Sequence, residues 1–554
     1  MSDSISPKTP VPTPIPYRAL LVYPRFAPNS FWNYQATCEA VGKKYSAAPL
    51  GLTTVAALFP PNWQFRLVDR NIEELSDADI DWADLVLTGG MIPQQRDAHA
   101  IIARAQARQK PVLVGGPDVT CSPDRYAIAD FRIMGEAEDM LPEFLQAWNQ
   151  GERRGSFTAA TFPDITNRPV PRFDLLKLDR YMHVGVQVSR GCPFNCEFCN
   201  VIELNGRAPR TKTPEQVTAE LDALYALGYR GHVDFVDDNL IGNRPAIKPI
   251  LGRLAEWMRQ RGHPFEFSTE VSMNVADDPE LLRLLKAANF FAVFVGIETP
   301  DNEALRASNK KQNVGRNVTE SVHKLFRAGL FVNAGFIIGF DSERQSVSEA
   351  MVRCIQDAAI PVAMVGLLYA LPNTQLNRRL QAEGRLYPDS DVPEAGDADQ
   401  CTSGLNFDTL RPRVEVLADY RAVIGALYTP DAFFDRVRRM VRALDVRGHQ
   451  LRQPLTHLLR DLRSFARISW RSWQNPEIRW PYVRALGDAL GHNPRALKVT
   501  VSMAALFLHY HGFAKFLAQQ IEGRIEENQP LSSGLLPKRP LRASLGTRVA
   551  SDGR

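Results

Sequence analysis

The eleven residues from Ser189 to Cys199 read Ser-Arg-Gly-Cys-Pro-Phe-Asn-Cys-Glu-Phe-Cys and place thiols at Cys192, Cys196 and Cys199. Three thiolates on one short loop can ligate three irons of a [4Fe-4S] cubane and leave the fourth iron open to a small chelating molecule. A zinc knot or a disulfide pair would use the same residue type. Structural zinc, however, asks for four ligands in two paired sets, and no second CxxC-like pair exists in the chain. The spacing therefore points to catalysis at an open iron.

The CxxxCxxC loop, with the aromatic Phe198 before its third cysteine, resembles the signature of the radical S-adenosylmethionine (SAM) enzymes. The resemblance implies that the open iron chelates the amino and carboxylate groups of SAM. One electron from the reduced cluster would then cleave the sulfonium, giving methionine and a radical that abstracts hydrogen from unactivated carbon. Phe198 is by the same resemblance a cofactor contact.

A chain of 554 residues exceeds one ordinary core, and its length suggests roughly three or four domains. With 44% hydrophobic and 23% charged residues the composition is that of a soluble globular protein. Cys38, Cys121, Cys354 and Cys401 are scattered singly, unlike a secreted disulfide framework, so a reducing cytoplasm is the expected compartment. Residues 1–16 are Pro-rich without a signal pattern and read as a disordered lead. A net charge of +4 gives no argument for nucleic acid.

Residues 17–160 alternate short apolar runs with helical patterns such as Arg96 to Arg108. Ala19–Tyr23, Phe65–Asp69, Leu85–Thr88, Pro111–Val114 and Phe131–Met134 are apolar on both faces, as buried parallel strands should be, which predicts a doubly wound α/β domain. Gly89-Gly90, Gly115-Gly116 and Gly135 follow the later strands, at the carboxyl ends where such sheets bind ligands. Neither GxGxxG nor a Walker lysine loop is present. Five such strands directly before a radical SAM loop resemble the cobalamin-binding domain of the B12-dependent branch of that family. The glycines would then admit the flat corrin; otherwise they make tight turns in an unliganded flavodoxin-like domain. The DxHxxG of domains that ligate cobalt through histidine is missing. His99 is the sole histidine before residue 180, and its segment reads as helix surface. The aromatics Phe26, Phe31, Trp32 and Tyr34 either cover the corrin or pack the loop.

Residues 161–183 read as a linker, and from 184 to 375 the βα alternation resumes with six strand candidates: Val184–Val188, His232–Val236, Phe265–Val271, Phe291–Ile297, Val332–Ile338 and Val362–Leu368. Helices fit between them, including Pro214–Leu227 capped by Thr213, and Asp278–Ala288. Six units match the partial (β/α)6 barrel that the resemblance implies, with chemistry at the carboxyl ends of the strands. There the family places a group that holds the SAM amino function, which nominates Asp237 and Asp238; helix capping is their other use. Ser268, Glu270 and Glu298 are polar positions inside apolar runs and need a partner, either a cationic or hydroxylated ligand or a buried lysine or arginine. Gly335 and Gly339 fall in a stretch close to the family's adenine-contacting GxIxGxxE, although Glu343 stands one residue late.

Residues 376–525 read as a helical accessory domain, and 526–554 as a disordered tail. Arg463, Arg467, Trp470, Arg471, Trp473, Arg479, Trp480 and Arg484 interleave cations with indoles. That stretch would either lie on an anionic membrane surface or pack its tryptophans on the barrel. Val499–Ala514 is the most apolar late segment, too short to span a bilayer, and reads as a packed helix. The domain order resembles the group that includes hopanoid methylases. The expectation is an α/β chain: a doubly wound, flavodoxin-like B12-binding domain, a radical SAM barrel and a helical domain, using a [4Fe-4S] cluster, SAM and cobalamin. The resemblance implies a methyltransferase acting on an unactivated carbon of a small molecule or lipid, fed by a low-potential donor such as flavodoxin or ferredoxin. Cyclisation or rearrangement without methyl transfer is the second reading. Methylthiolation of tRNA would want three more N-terminal cysteines, where only Cys38 and Cys121 stand. A non-catalytic iron or zinc module is the non-enzyme rival.

Overall fold

A computed structural model describes residues 17–27, 30–31, 33–388, 404–452 and 455–528. The expected lead, the tail from 529, Trp32 and Cys401 lie outside the described residues. In chain order the first third supplies β1 (Tyr17–Tyr23), β2 (Tyr45–Ala47), β3 (Trp63–Asp69), β4 (Leu85–Thr88), β5 (Val112–Val114), β6 (Phe131–Met134) and β7 (Gly155–Thr158). Six of these form a sheet in the order β3-β1-β4-β5-β6-β7, and every pairing is parallel. Along β1, Ala19 and Leu21 enter one apolar layer with Phe59, Trp63 and Phe144, while Leu20 and Val22 enter the opposite layer with Ile80, Val86 and Ile101. Burial on both faces is why these strands read as continuous apolar runs. The strand order reverses between β1 and β4, and such a switch point opens a crevice at the carboxyl ends.

The second sheet holds β8 (Tyr181–Val186), β11 (Gly231–Phe235), β12 (Phe265–Glu270), β13 (Phe290–Glu298), β14 (Phe331–Ile338) and β15 (Val362–Leu367), with the short ribbon β9 (Ser189–Arg190) and β10 (Arg210–Thr211) beside it. Its order is β15-β14-β13-β12-β11-β8-β2, parallel throughout. The seventh strand comes from within residues 17–160. β2 leaves the first domain and pairs with β8, Tyr45 against Tyr181 and Ala47 against His183. Three residues carry too little periodicity to show this in sequence. The helix Pro214–Ala226 begins in a full capping box between Thr213 and Gln216.

The C-terminal third is helical: Gln375–Ala382, Arg413–Leu427, Pro430–Ala443, Leu455–Gln474, Pro476–His492 and the 32-residue Leu497–Asn528, which contains the segment 499–514. No helix among the described residues is long and apolar enough to cross a membrane. These helices deal with the unpaired edge of β15. Tyr428 donates its hydroxyl to the carbonyl of Ala363 at 2.6 Å, Tyr420 donates to Val365 at 3.1 Å, and Arg436 reaches the carbonyl of Pro361 at 3.4 Å. An open edge is a template for unwanted pairing, and the tyrosines cap it. At the opposite edge, Thr37 donates to the carbonyl of Ala505, and Phe31 stacks on Tyr510 with centroids 4.9 Å apart. The long helix thus spans the gap between the β15 and β2 edges of the curled sheet. Tyr428→Phe removes the hydroxyl that matches Ala363 and costs about 1–2 kcal/mol locally. Hydrogen exchange should show roughly tenfold faster exchange across β15 with the first sheet unchanged.

Candidate active site

The cysteine loop leaves β8 at the carboxyl end of the curled sheet, the side where parallel barrels do their chemistry. Its conformation is forced at Gly191, where φ is +95° and a Cβ would come within 2.8 Å of the carbonyl oxygens of Asn205 and Gly206. Two carboxylates from the end of β11 fix the loop. Asp237 accepts from the amides of Val188 at 3.2 Å and of Ser189, and from the Ser189 hydroxyl at 2.6 Å. Asp238 accepts from the Gly191 amide at 3.0 Å and from the Asn205 side chain at 2.9 Å. Burial raises the Asp237 carboxyl to about 7, against the pull of the Ser189 donors. Both residues expected at the SAM amino group are therefore committed first to the backbone that presents the thiols.

Burial also raises all three thiols, Cys199 to about 12, and each feels Lys310 pulling it back. Asn239 Nδ2 lies 3.9 Å from the Sγ of Cys192, and Gln312 Nε2 lies 3.7 Å from that of Cys196. Such N–H donors to sulfur tune a cluster's potential. The thiols interact electrostatically, yet among the described residues no three His, Cys, Asp or Glu side chains converge as ligands of a single metal ion. Three thiols on one loop, two of them beside side-chain amides, form the donor set that three irons of a cubane require. Metal coordination would ionise the raised thiols.

Glu298 closes β13 just past a register shift, at φ +71°, and accepts from Lys310 Nζ at 2.5 Å. A buried lysine, rather than a bound cation, satisfies it. The same ammonium lies 6.0 Å from the ring centroid of Phe198, which meets Phe340 edge-on at 5.9 Å. Sequence reasoning does not single out Lys310, Gln312 or Asn239: the first two lie just past the short helix Asn302–Ala307 that follows β13, and carry no motif. The clue available was the unpaired acid at 298.

Inside the curl, alternate strand residues face an open lumen rather than the surrounding helices. On β11 and β12 these are His232, Asp234, Glu266, Ser268 and Glu270, with Val236 just beyond β11 40% exposed although its neighbour Phe235 is fully buried. Ser268 donates to Asp234 and lies 2.6 Å from His232 Nε2. Glu270 opens onto the lumen at its exposed tip yet stands deep within the curl, where the surrounding protein raises its carboxyl to about 8, and Asp234, Asp238 and Asp237 push it further. On β13–β15 the same face carries Phe291, Phe294, Asn333, Ile337 and Met364, so the lumen is polar on one wall and mostly apolar on the other, where Asn333, level with Phe294, is the polar exception. Tyr34 and Tyr510 close the gap, their hydroxyls 3.2 Å apart.

Gly335 backs onto the Phe294 ring, and Gly339 onto Leu405 of the C-terminal part. Glu343, despite standing one residue late, accepts from the Gly339 amide at 2.9 Å. In the first sheet Gly89 has φ +155°, and its missing Cβ would collide with the Gly115 carbonyl, so the loops after β4 and β5 stack backbone on backbone. Gly90 and Gly116 face each other there, while Gly135 abuts Ala159. His99 lies on the expected helix, Gln95–Ala107, but its ring is half-buried, edge-on to the buried Tyr126 at 5.0 Å, rather than on the surface. The carboxyl ends of the two sheets meet. Glu136, after β6, forms ion pairs with both Arg190 and Arg210 beside the cysteines, Glu138 pairs with Arg190 at 2.8 Å, and Asn373 donates to the Cys121 carbonyl at 3.1 Å.

Lys310→Met leaves Glu298 buried without a counter-charge and costs about 3–5 kcal/mol, whereas Lys310→Met with Glu298→Leu recovers most of it. A double-mutant cycle on chemical unfolding of the cluster-free protein measures the difference.

Residues 186–352 match the radical SAM superfamily, and residues 374–523 match a domain of unknown function, DUF4070. An uncharacterized methyltransferase of Synechocystis is 42% identical over 512 residues, covering 92% of this chain and 94% of the relative. The hopanoid C-2 methylase of Rhodopseudomonas palustris is 36% identical over 424 residues, covering 76% and 78%. Among solved structures, the radical SAM methyltransferase TsrM from Kitasatospora setae, with cobalamin and a [4Fe-4S] cluster bound, superposes with a TM-score of 0.54 at 14% identity over 92% of this chain and all of its own. That likeness is one of fold, and it extends over the doubly wound domain, the curled sheet and the C-terminal helices together. With three thiols in the CxxxCxxC loop and relatives 42% and 36% identical over 92% and 76% of its length, the chain belongs to the radical SAM enzymes, in the group that includes the hopanoid C-2 methylase.

Proposed function

We propose that the protein is a cobalamin-dependent radical SAM methyltransferase acting on an unactivated carbon of a lipid or similarly apolar small molecule. The observation that carries this reading is the face-to-face arrangement of the two sheets' carboxyl ends, with the cysteine loop between them and the Glu136–Arg190–Arg210 pairs holding it. When bound, the cluster supplies an electron to SAM and the corrinoid a transferable methyl group. The chain's own part is positional. Asp237 and Asp238 hold Cys192, Cys196 and Cys199 in register, and Gly89-Gly90 and Gly115-Gly116 give the switch-point crevice a wall of bare backbone. The apolar wall of Phe291, Phe294, Ile337 and Met364 suits the body of an apolar substrate, while His232, Asp234 and Ser268 suit a polar group on it. The two relatives described above are both methyltransferases by name, one of them a hopanoid methylase, and both are more similar to this chain than a matching magnesium-protoporphyrin ester cyclase at 26% identity, which favours methyl transfer over cyclisation or rearrangement. A low-potential flavodoxin or ferredoxin is the donor we infer, and the enzyme works in the cytoplasm against the inner membrane face.

Anaerobic protein given SAM with a trideuterated methyl group, a low-potential reductant and a lipid extract should yield a labelled lipid. About one S-adenosylhomocysteine and one 5′-deoxyadenosine should accompany each product, because the two cofactors have separate tasks. Deoxyadenosine without a labelled product would favour cyclisation or rearrangement.

Glu270 is the carboxyl we assign to the SAM cation. Because its value stands near 8, it is neutral below that pH, and a cation binds better once it ionises. SAM affinity should therefore rise as pH climbs toward 8, by at most about tenfold per unit, and level off above it. Glu270→Gln should flatten that profile in equilibrium dialysis.

A further inference from the structure

We infer that the helical hairpin formed by Leu455–Gln474 and Pro476–His492 is a membrane-docking element that lies in the plane of an anionic bilayer surface. The sequence left open whether its tryptophans pack on the barrel; the structure turns them outward. Trp470, Trp473 and Trp480 are 62%, 46% and 57% exposed, and Leu459, Leu462, Phe465, Val483 and Leu490 are exposed beside them. The apolar residues are not scattered. Leu459, Leu462, Trp470 and Trp473 recur at helical spacing on the first helix, and Trp480, Val483 and Leu490 on the second. Trp473 and Trp480 join the stripes, their centroids 6.2 Å apart, with Arg479 over the Trp473 ring at 4.9 Å. The opposite faces pack inward through Ile468, Ser472, Ile478 and Tyr482, so the outward stripe is what folding leaves over.

Charge selects the occupant. Residues 455–495 hold seven arginines against Asp461, Glu477 and Asp488. Asp488 is engaged by Arg438 and Arg442, whereas the exposed Arg463 and Arg484 have no carboxylate partner among the described residues. Indoles and arginines together on one apolar stripe match an interface of acyl chains, headgroups and anionic phosphate. The hairpin also grips the segment that closes the lumen: Arg467 donates to the carbonyls of Glu39 at 2.8 Å and Ala40 at 3.3 Å, the last turn of the helix that starts after Tyr34. Docking would thus occur beside the Tyr34–Tyr510 closure, on the side from which a lipid would enter.

This inference takes its context from the lipid reading above, but its test is separate, because the vesicles hold only phospholipid and no turnover is read. Full-length, cluster-loaded protein free of detergent is floated with vesicles of phosphatidylcholine alone or mixed with phosphatidylglycerol. Binding should need the anionic lipid and fall with salt, and brominated acyl chains should quench tryptophan fluorescence. Arg463→Gln with Arg484→Gln should weaken partitioning by on the order of tenfold or more, since each cation near such a surface contributes about a factor of five. Trp470→Ala, Trp473→Ala and Trp480→Ala together should abolish the quenching. Absent binding, binding indifferent to anionic lipid, or a dimer in sedimentation that the tryptophan variant disperses would each overturn the proposal, the last by assigning the face to a second copy.

Discussion

The backbone hydrogen bonds that Asp237 and Asp238 accept are the constraint on which the site depends. Three thiols within eight residues must be held open, near enough to share one inorganic core yet too far apart to close on one another. No regular element does this. The loop is instead pinned at Val188, Ser189 and Gly191 by two carboxylates from the next strand, while Cys192 donates its amide to the Gly206 carbonyl at 3.1 Å. Burying a carboxyl is costly, as the raised Asp237 shows, and that cost is borne where the loop would otherwise be free.

The half-barrel creates a second demand, since a curled parallel sheet that does not close leaves two edges and a gap. β2, borrowed from the first domain, lengthens one edge; Tyr420 and Tyr428 cap the other; the helix Leu497–Asn528 spans between. The closure is made of side chains and a helix rather than strand pairing, so the lumen wall at Tyr34 and Tyr510 can rearrange without breaking a sheet. Arg467 of the exposed hairpin is hydrogen-bonded to the helix that follows Tyr34.

Much of this was legible in the chain. Leu85–Thr88 and Phe131–Met134 were placed to the residue because a parallel strand buried on both faces reads as an unbroken apolar run. Thr213 with Pro214 and Gln216 announces a helix start. The cluster loop shows itself in three closely spaced thiols, and the resemblance to the radical SAM signature says what they hold. What stayed hidden depends on contacts between distant residues. Tyr45–Ala47 is too short to have a period, Lys310 is one lysine among many until Glu298 is found against it, and Glu343 looked misplaced by counting although its side chain still reaches the Gly339 amide. The tryptophans of 470–480 could point either way, because an amphipathic helix pattern fixes two faces without saying which is buried.

Paramagnetic resonance of the reduced, reconstituted protein, recorded with and without SAM, tests most directly whether Cys192, Cys196 and Cys199 leave one iron open. The account predicts a single [4Fe-4S] signal whose g values shift when SAM is added, and the loss of that signal and of bound iron in Cys196→Ala. A signal indifferent to SAM, or full iron content in Cys196→Ala, would contradict it.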